Sequence, residues 1–368
     1  MRNLKDFNFQ NKKVLVRVDF NVPFSAKGHI SDDFRIKASL PTLKYLIEKR
    51  AKIILISHLG RPEGKFVKKY SLKPTAKRLE KLLKREVHPV KSRQAGISPK
   101  TKLFNRVKFL PDCFGERVKK KIKKIKTGEI VLLENLRFYK EEKENNKSFA
   151  KNLARLADIF INDAFSVCHR AHASVVGITK YLPSASGFLL EKEIQILSQI
   201  MKNPKRPLVV IIGGKKIADK AKVAERFSEM ADFLLVGDLV ADEIKQGKIK
   251  IKPGNVSFPI KGKERLDIGS KTIEIFKEKI KKAKTIFWAG PLGKIENEKY
   301  QKGTKEIARA IIESGAFSVI GGGDTVEFIN KIGLAEKISH VSIGGGAMLE
   351  FLAGEKMPGI EALKYGRN

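Results

Sequence analysis

The sequence predicts an α/β protein with two doubly wound parallel-sheet (Rossmann-like) domains joined by an interdomain helix and hinge. Short apolar runs alternate along the chain with amphipathic helical patterns of roughly 10–15 residues, which is the arrangement of βαβ units. Small, basic or amide residues directly follow several of these apolar runs. The chain of 368 residues is too long for one ordinary core, and its 42% apolar content is enough to bury two.

The individual elements follow from hydrophobic periodicity. Continuous apolar runs predict buried strands at residues 14–18, 53–57, 129–134, 159–162, 208–212, 233–236, 285–288, 317–320 and 340–343. Amphipathic patterns between them predict helices at residues 41–50, 72–84, 148–156, 216–231, 271–282, 304–313 and 325–332. Runs that are apolar throughout are typical of parallel sheets with both faces covered.

A further helix at residues 190–201 is predicted to connect the two domains. Its apolar positions Leu190, Ile194, Leu197 and Met201 recur at helical spacing, and the chain then reaches Pro204. The domain junction therefore lies within residues 176–205, with one domain at 1–178 and the other at 179–357. The sequence alone leaves the oligomeric state open.

Composition narrows the class of protein. The chain has no run of 18 apolar residues and no signal-peptide core at its N-terminus, so we expect a cytoplasmic protein without a membrane span. Cys113 and Cys168 are the two cysteines, and they suit a reducing compartment without a disulfide or zinc framework. The net charge of +35 suggests either a polyanionic partner or a solvated lysine-rich surface. We favour the surface, because the lysine runs lack interleaved aromatic residues.

Basic and amide residues gather after the strands of the first half. Asp19 and Asn21 follow the first strand, and Arg35 lies in the next loop. The other candidates follow later strands of the same half: His58, Arg61, Arg137, His169, Arg170 and His172. Together with Arg17 they are predicted to converge in one cleft, because parallel strands end at the same edge of a sheet. Several guanidinium groups suit a small, multiply charged anion, and the histidines are interpreted as additional donors.

Glycine-rich segments follow the strands of the second half. Gly213 and Gly214 precede Lys216 and Lys220, which are predicted to share one helix face. Two glycine triplets, at residues 321–323 and 344–346, each precede a predicted helix. Glycines admit a phosphate close to the backbone, and a helix N-terminus adds N–H donors. The sequence therefore predicts a nucleotide site with Asp324 as a Mg²⁺ ligand.

These segments together resemble the phosphoglycerate kinase family over residues 13 to about 363. The segments that carry the resemblance are RVDFNVP at 17–23, SHLGRP at 57–62, LENLRF at 133–138, NDAFSVCHRAHAS at 162–174, GGGDT at 321–325 and GGGA at 344–347. The resemblance implies Mg²⁺-dependent phosphoryl transfer from 1,3-bisphosphoglycerate to ADP, giving 3-phosphoglycerate and ATP. It also implies a monomer that closes about a hinge in residues 176–205, with a tail at 358–368 that packs on the first domain.

The resemblance assigns roles by motif. It implies binding of the phosphoglycerate in the first domain by Asp19, Phe20, Asn21, Arg35, His58, Leu59, Gly60, Arg61, Arg137 and Arg170. It implies binding of ADP or ATP in the second domain by Lys216, Lys220, Glu296, Gly322, Gly323, Asp324 and Thr325, with Asp324 also contacting the metal. Arg35, Lys216 and Gly345 are the implied catalytic residues.

Several positions depart from the family pattern, and most lie in the second half. Lys215 stands where the family usually has a small residue, Ala289 replaces an amide, and Lys294 is unexpected near an adenosine pocket. Met348 replaces a serine. The segment 238–266 is also shorter than is usual in the family, so the resemblance leaves the preferred nucleoside base open.

Two other functions compete with the one that the resemblance implies. A member of the family without activity could engage nucleic acid through its basic surface, and the net charge of +35 motivates that alternative. A dinucleotide-dependent oxidoreductase is disfavoured, because no G-x-G-x-x-G follows the first strand.

Overall fold

The computed structural model describes residues 1–87, 106–252, 254–260 and 266–366. The chain divides into two compact units, Met1–Lys192 with Met357–Asn368 and Glu193–Lys356. Each unit contains one six-stranded sheet in which every described pairing between strands is parallel. The predicted α/β class with two parallel sheets is confirmed.

The sheet of the first unit has the strand order β3-β4-β2-β1-β5-β6. Its strands are β1 (Lys13–Arg17), β2 (Lys52–Ile56), β3 (Arg106–Phe109), β4 (Glu129–Leu132), β5 (Ile159–Asn162) and β6 (Ser184–Ser186). The helices of this part are α1 (Phe34–Ala38), α2 (Leu40–Glu48), α3 (Lys73–Val87), α4 (Glu116–Lys123), α5 (Lys140–Lys143) and α6 (Lys147–Ala154). The chain runs outward from β1 on one side and returns to β5 on the other, which makes a switch point between β1 and β5.

Helix α7 (Phe188–Lys202) crosses the division and leads into the second unit. The second sheet has the order β12-β11-β10-β7-β8-β9. Its strands are β7 (Leu208–Ile212), β8 (Phe233–Val236), β9 (Val256–Ser257), β10 (Thr285–Ala289), β11 (Phe317–Gly321) and β12 (His340–Val341). Its helices are α8 (Ala218–Met230), α9 (Asp238–Lys245), α10 (Ser270–Lys282), α11 (Lys302–Glu313), α12 (Gly323–Lys331) and α13 (Gly346–Leu352). Here the switch point lies between β7 and β10.

The central strands form because their side chains are apolar on both faces. Val14 of β1, for example, pairs with Ile53 on one side and Ile159 on the other, and all but the first residue of β1 are buried. In the second unit, all five residues of β7 and of β10 are buried. Within the described ranges, no helix has the length and apolar character needed to cross a membrane.

The strands that the sequence pattern missed are β3, β6 and β9. All three lie at sheet edges, and they are short or polar, so no continuous apolar run marks them. The short helices α1, α5 and α9 were also missed. The predicted strand 340–343 is shorter in the structure, where β12 covers two residues.

The first unit extends past the boundary predicted after residue 178. Strand β6 pairs with β5, and the backbone N–H of Leu189 donates to Asp163 Oδ1 at 2.9 Å, so this stretch packs with the first sheet. The C-terminal helix α14 (Pro358–Tyr365) also belongs to this unit. There the N–H of Gly359 donates to the carbonyl of Cys168 at 2.8 Å.

Candidate active site

Asp19 lies at the switch point of the first sheet, two residues after β1. Its side chain is fully buried and forms an ion pair with Arg35. The hydroxyl of Ser166 donates to the same carboxylate oxygen that Arg35 contacts, and the N–H of Asn21 donates to the other at 3.1 Å. Burial alone would raise the pKa of Asp19, but the charge of Arg35 and these donors hold it well below its usual value. Asp19 is therefore an ionised carboxylate that fixes the position of Arg35.

A second set of contacts joins the loops after β1, β2 and β4. Asn21 Oδ1 accepts from the N–H of Gly60 at 2.9 Å, and Arg137 Nη1 donates to the carbonyl of Gly60 at 2.8 Å. Gly60 has φ +62°, and a β-carbon there would come within 2.4 Å of Tyr70 Cε1, so glycine is required. Leu59 is buried, and its backbone N–H donates to Asn135 Oδ1 while its carbonyl accepts from Asn135 Nδ2. These residues bring Arg137 beside Asn21.

Arg137 is only partly exposed. Burial is the largest effect on its pKa, which falls to about 10, and repulsion from Arg17 acts in the same direction. Its Nε atom is buried and has no hydrogen-bond partner among the described residues. A buried donor without a partner is costly, which makes this atom a candidate for contact with an anionic ligand.

Arg17 contacts this set through His58, but it lies in the core rather than open to a ligand. Its side chain is fully buried, with Nε donating to Ser174 Oγ at 3.0 Å and Nη2 lying 3.1 Å from His58 Nδ1. A guanidinium can only donate, so His58 Nδ1 accepts and the neutral ring carries its proton on Nε2. Burial lowers the pKa of His58 well below 6.5, which agrees with a neutral ring.

The remaining predicted residues of this half differ in exposure. Phe20 is buried, and its N–H donates to Ser57 Oγ at 2.8 Å, so it positions the loop. Arg61 and Arg170 are exposed. Arg61 acts electrostatically on Arg137, and Arg170 acts on His169, which places both near the set.

Two further residues organise this region, Ser166 and Glu142, and neither was predicted from the sequence. Ser166 lies inside the segment 162–174 but carries no signal of its own. Glu142 is fully buried and accepts from Ser174, through the N–H at 3.0 Å and through the hydroxyl at 2.5 Å. Its Oε1 lies 3.8 Å from His172 Nδ1, which is too far for the hydrogen bond of a catalytic dyad.

Two histidines, His169 and His172, are expected to make the first unit less stable in acid. Burial lowers the pKa of His169 to about 4 and that of His172 to about 3, with nearby arginines acting in the same direction. The unfolded chain takes up these protons near pH 6.5, whereas the folded chain does not. The stabilisation is therefore complete above pH 6.5 and is lost as the pH falls toward the folded-state values.

Between pH 7 and pH 5 we expect the free energy of unfolding of His172→Gln to fall by about 1 kcal/mol less than that of the wild type. This figure allows for the partial exposure of the ring. Denaturant unfolding followed by circular dichroism at both pH values measures this. His29→Gln, at an exposed histidine, is the control and should follow the wild type. Burial also raises the pKa of Asp163 to about 7, which acts in the opposite direction but equally in every variant. An unaltered pH dependence in His172→Gln would contradict the assignment.

In the second unit, Lys220 lies under the glycine loop that follows β7. It is buried, and its Nζ stands 3.1 Å from where a β-carbon would lie on either Gly214 or Gly290. Glycine at both positions therefore lets the ammonium approach the ends of β7 and β10. Burial lowers the pKa of Lys220, while the charges of Asp324 and Asp219 act against that effect.

Lys216 and Lys220 do not share a helix face, contrary to the prediction. Helix α8 begins at Ala218, so Lys216 lies on the loop before it and is exposed. Its neighbour Lys215 forms an ion pair with Glu296, with 2.7 Å between Nζ and Oε1. Glu296, the residue implied for the ribose, thus already has a partner within the chain.

Helices α12 and α13 begin at the glycine triplets, as the sequence indicated. Gly322 precedes α12, and Asp324 is exposed in the first turn of that helix. The hydroxyl of Thr325 is buried and accepts from the N–H of Gly290 at 2.9 Å, so it ties α12 to the end of β10. Gly345 precedes α13 with φ +54°.

A pocket lies at the switch point of the second sheet. It is lined by Gly214, Lys215, Gly237, Asp238, Leu239, Leu266, Pro291, Leu292, Gly293, Lys294, Ile295, Glu296 and Asp324. Its apolar side chains and its charged rim suit a ligand with a flat apolar part and a charged part. Lys215 and Lys294 are departures from the family pattern that line this pocket. Part of the shortened segment 238–266 lies outside the described residues.

The chain is similar to known proteins over nearly its full length. The family model for phosphoglycerate kinase matches residues 4–256 and 239–355. A phosphoglycerate kinase of Borrelia garinii subsp. bavariensis is 42% identical over 411 aligned positions, covering 99% of each chain. One of Coprothermobacter proteolyticus is 40% identical over 416 positions, covering 99% of this chain and 98% of the relative.

Solved structures give the same result. Phosphoglycerate kinase from Pyrococcus horikoshii OT3 aligns with a TM-score of 0.83 and 34% identity. The enzyme from Coxiella burnetii aligns with a TM-score of 0.79 and 32% identity. Each alignment covers 99% of this chain and 98% of the other.

Proposed function

This chain belongs to the phosphoglycerate kinase family and is a phosphotransferase that catalyses a phosphoryl transfer of glycolysis; from that premise we propose which of its residues perform the reaction. The first unit binds 3-phosphoglycerate or 1,3-bisphosphoglycerate at the switch point between β1 and β5. The second unit binds ADP or ATP at the switch point between β7 and β10. The observation that carries the first assignment is the partnerless, buried Nε of Arg137, whose guanidinium also contacts Gly60 next to Asn21.

In the first unit, charged and hydroxyl groups of the substrate have different partners. Arg61, Arg137 and Arg170 supply guanidinium donors for a carboxylate or phosphate. Asn21 has an amide nitrogen with which to donate to a hydroxyl, and His58 can donate from Nε2. Arg35 is held by Asp19 and has further donors with which to meet a phosphoryl group. Phe20, Leu59 and Gly60 act through the backbone positions they fix.

Phosphoryl transfer needs positioning and charge neutralisation rather than a protein nucleophile. We assign charge neutralisation to Arg35 and Lys216, and a backbone N–H contact to Gly345. Lys220, like Lys216, binds the nucleotide phosphates. Gly322, Gly323 and Thr325 form the phosphate loop, and Glu296 offers a carboxylate to the ribose. Closure of the units about residues 176–205, which would exclude water from the acyl phosphate, stays a prediction.

The residues present fit a Mg²⁺ ion bound with the nucleotide. The exposed carboxylate of Asp324 acts electrostatically on Lys220 and Lys215, so it stands on the charged side of the pocket. Mg²⁺ in phosphate sites uses one or two carboxylates together with phosphate oxygens. When bound, the ion neutralises charge on the phosphates. Over the described part of the chain, no group of three or more His, Cys, Asp or Glu residues gathers into a metal cluster.

We also propose that the protein acts as a monomer in the cytoplasm and does not use nucleic acid as a partner. Its two cysteines are buried and free, as suits a reducing compartment. Several surface lysines lie beside acids, as in the pairs of Lys119 with Glu116 and Lys364 with Glu361. Such pairs interrupt the basic surface, which supports a solvated surface over a continuous basic patch.

A coupled assay tests the proposal. We expect ADP to form from ATP only when both 3-phosphoglycerate and Mg²⁺ are present, and GTP in place of ATP measures the base preference. Activity independent of 3-phosphoglycerate would contradict the substrate assignment. Retention on a nucleic-acid column at about 0.2 M salt without kinase activity would favour the binding-protein alternative.

A further inference from the structure

Lys215 occupies a position at the edge of the nucleotide pocket that the family pattern usually gives to a small residue. Its side chain and that of Glu296 both line this pocket. Their ion pair is open to water, since the two side chains are 63% and 59% exposed. An ion pair this exposed contributes little to stability, so a stronger anion could replace the carboxylate at small cost.

A second carboxylate also acts on the ammonium of Lys215. The hydrogen bond and charge of Glu296 are the largest causes of its raised pKa, and the charge of Asp324 acts in the same direction. Lys215 therefore pairs with Glu296 and lies within electrostatic reach of Asp324 in the first turn of α12. The phosphates of a nucleotide would run from Glu296 toward that turn if Glu296 bound the ribose.

We propose that Lys215 is a third phosphate-binding lysine of this site: Glu296 holds its ammonium beside the glycine loop, and the ammonium transfers to a phosphate of the bound nucleoside diphosphate. This inference rests on the proposed nucleotide site in the second unit. The lysine side chain is long and flexible and carries three donors, so it can exchange one anion for another without backbone movement. A diphosphate carries more negative charge than one carboxylate, which favours the exchange.

The inference separates phosphate binding from nucleoside binding. Adenosine has a ribose but no phosphate, so it engages Glu296 without recruiting Lys215. ADP engages both. Loss of the ammonium should therefore weaken ADP and leave adenosine nearly unchanged. If Lys215 served only to orient Glu296, both ligands would weaken together.

Calorimetric titration of the full-length protein with ADP and with adenosine, both without Mg²⁺, tests this. We expect Lys215→Ala to weaken ADP binding roughly tenfold, the size of one lost charge-assisted hydrogen bond, and to change adenosine binding less than about twofold. Lys215→Arg should retain most of the ADP affinity. Lys222→Ala is the matched control, because Lys222 on α8 also forms an exposed pair, with Glu355, and neither residue lines the pocket.

If the wild type binds ADP, two results for Lys215→Ala would overturn this inference alone. One is equal weakening of ADP and adenosine binding, and the other is unchanged ADP binding. A wild-type protein that binds neither ligand would overturn the proposed nucleotide site together with it. A loss confined to ADP, with Lys222→Ala unaffected, supports the third lysine.

Discussion

Arg35→Ala is expected to lower turnover by roughly 10²–10³, the loss typical of removing one group that stabilises transition-state charge. Arg35 is 27% exposed and reaches the site edge while Asp19, fully buried, fixes its position. A group that acts mainly on the phosphoryl in transit should change kcat more than substrate affinity. Steady-state kinetics with 3-phosphoglycerate and ATP, combined with calorimetric binding of 3-phosphoglycerate, measure the two effects separately.

Two further variants make this result interpretable. Arg35→Lys keeps a charge opposite Asp19 but loses the guanidinium fork, so it should recover stability and only part of the turnover. Arg309→Ala removes an arginine from an exposed pair with Glu306 on α11 and should leave turnover unchanged. Unchanged turnover in Arg35→Ala would reject the catalytic role. A loss confined to 3-phosphoglycerate affinity would reduce Arg35 to a binding residue.

The sequence predicts the parts of this fold that burial dictates. Strands β1, β5 and β7 each contain a run of at least three apolar residues, so each was recognised within a residue of its observed ends. The edge strand β6, with the sequence Ser-Ala-Ser, has no such signal and depends on pairing with β5. The two switch points then follow from strand order, which a single sequence does not specify.

The direction of a side chain at a strand end was not predictable in the same way. Arg17 and Asp19 are two residues apart and both are buried, yet one points toward Ser174 and the other receives Arg35. Likewise, Lys216 and Lys220 have helical spacing, but the helix begins between them at Ala218. The pair of Lys215 with Glu296 joins residues 81 positions apart, so only the assembled sheet reveals it.

Arg17 carries the prediction with the largest expected effect on stability. Its guanidinium is fully buried and is bonded to Ser174, the carbonyl of Val18 and His58. Burial lowers the pKa of Arg17, while the charge of buried Glu142 opposes that effect. Arg17→Met leaves Glu142 as an uncompensated buried charge, so we expect a loss of about 3–5 kcal/mol in the free energy of unfolding. Lys13→Met on the same strand removes an exposed partner of Asp158 and should cost less than about 1 kcal/mol.

Denaturant unfolding of Arg17→Met, Glu142→Gln and the double variant separates charge balance from ligand positioning. The double variant should be more stable than the two single losses predict, because neither charge then remains buried alone. Strict additivity would mean that Arg17 and Glu142 do not compensate each other. The affinity of the double variant for 3-phosphoglycerate should nevertheless stay low, since nothing restores the donor that holds His58 Nδ1 and directs its Nε2 proton outward. Recovery of both stability and affinity would show that the orientation of His58 does not depend on Arg17.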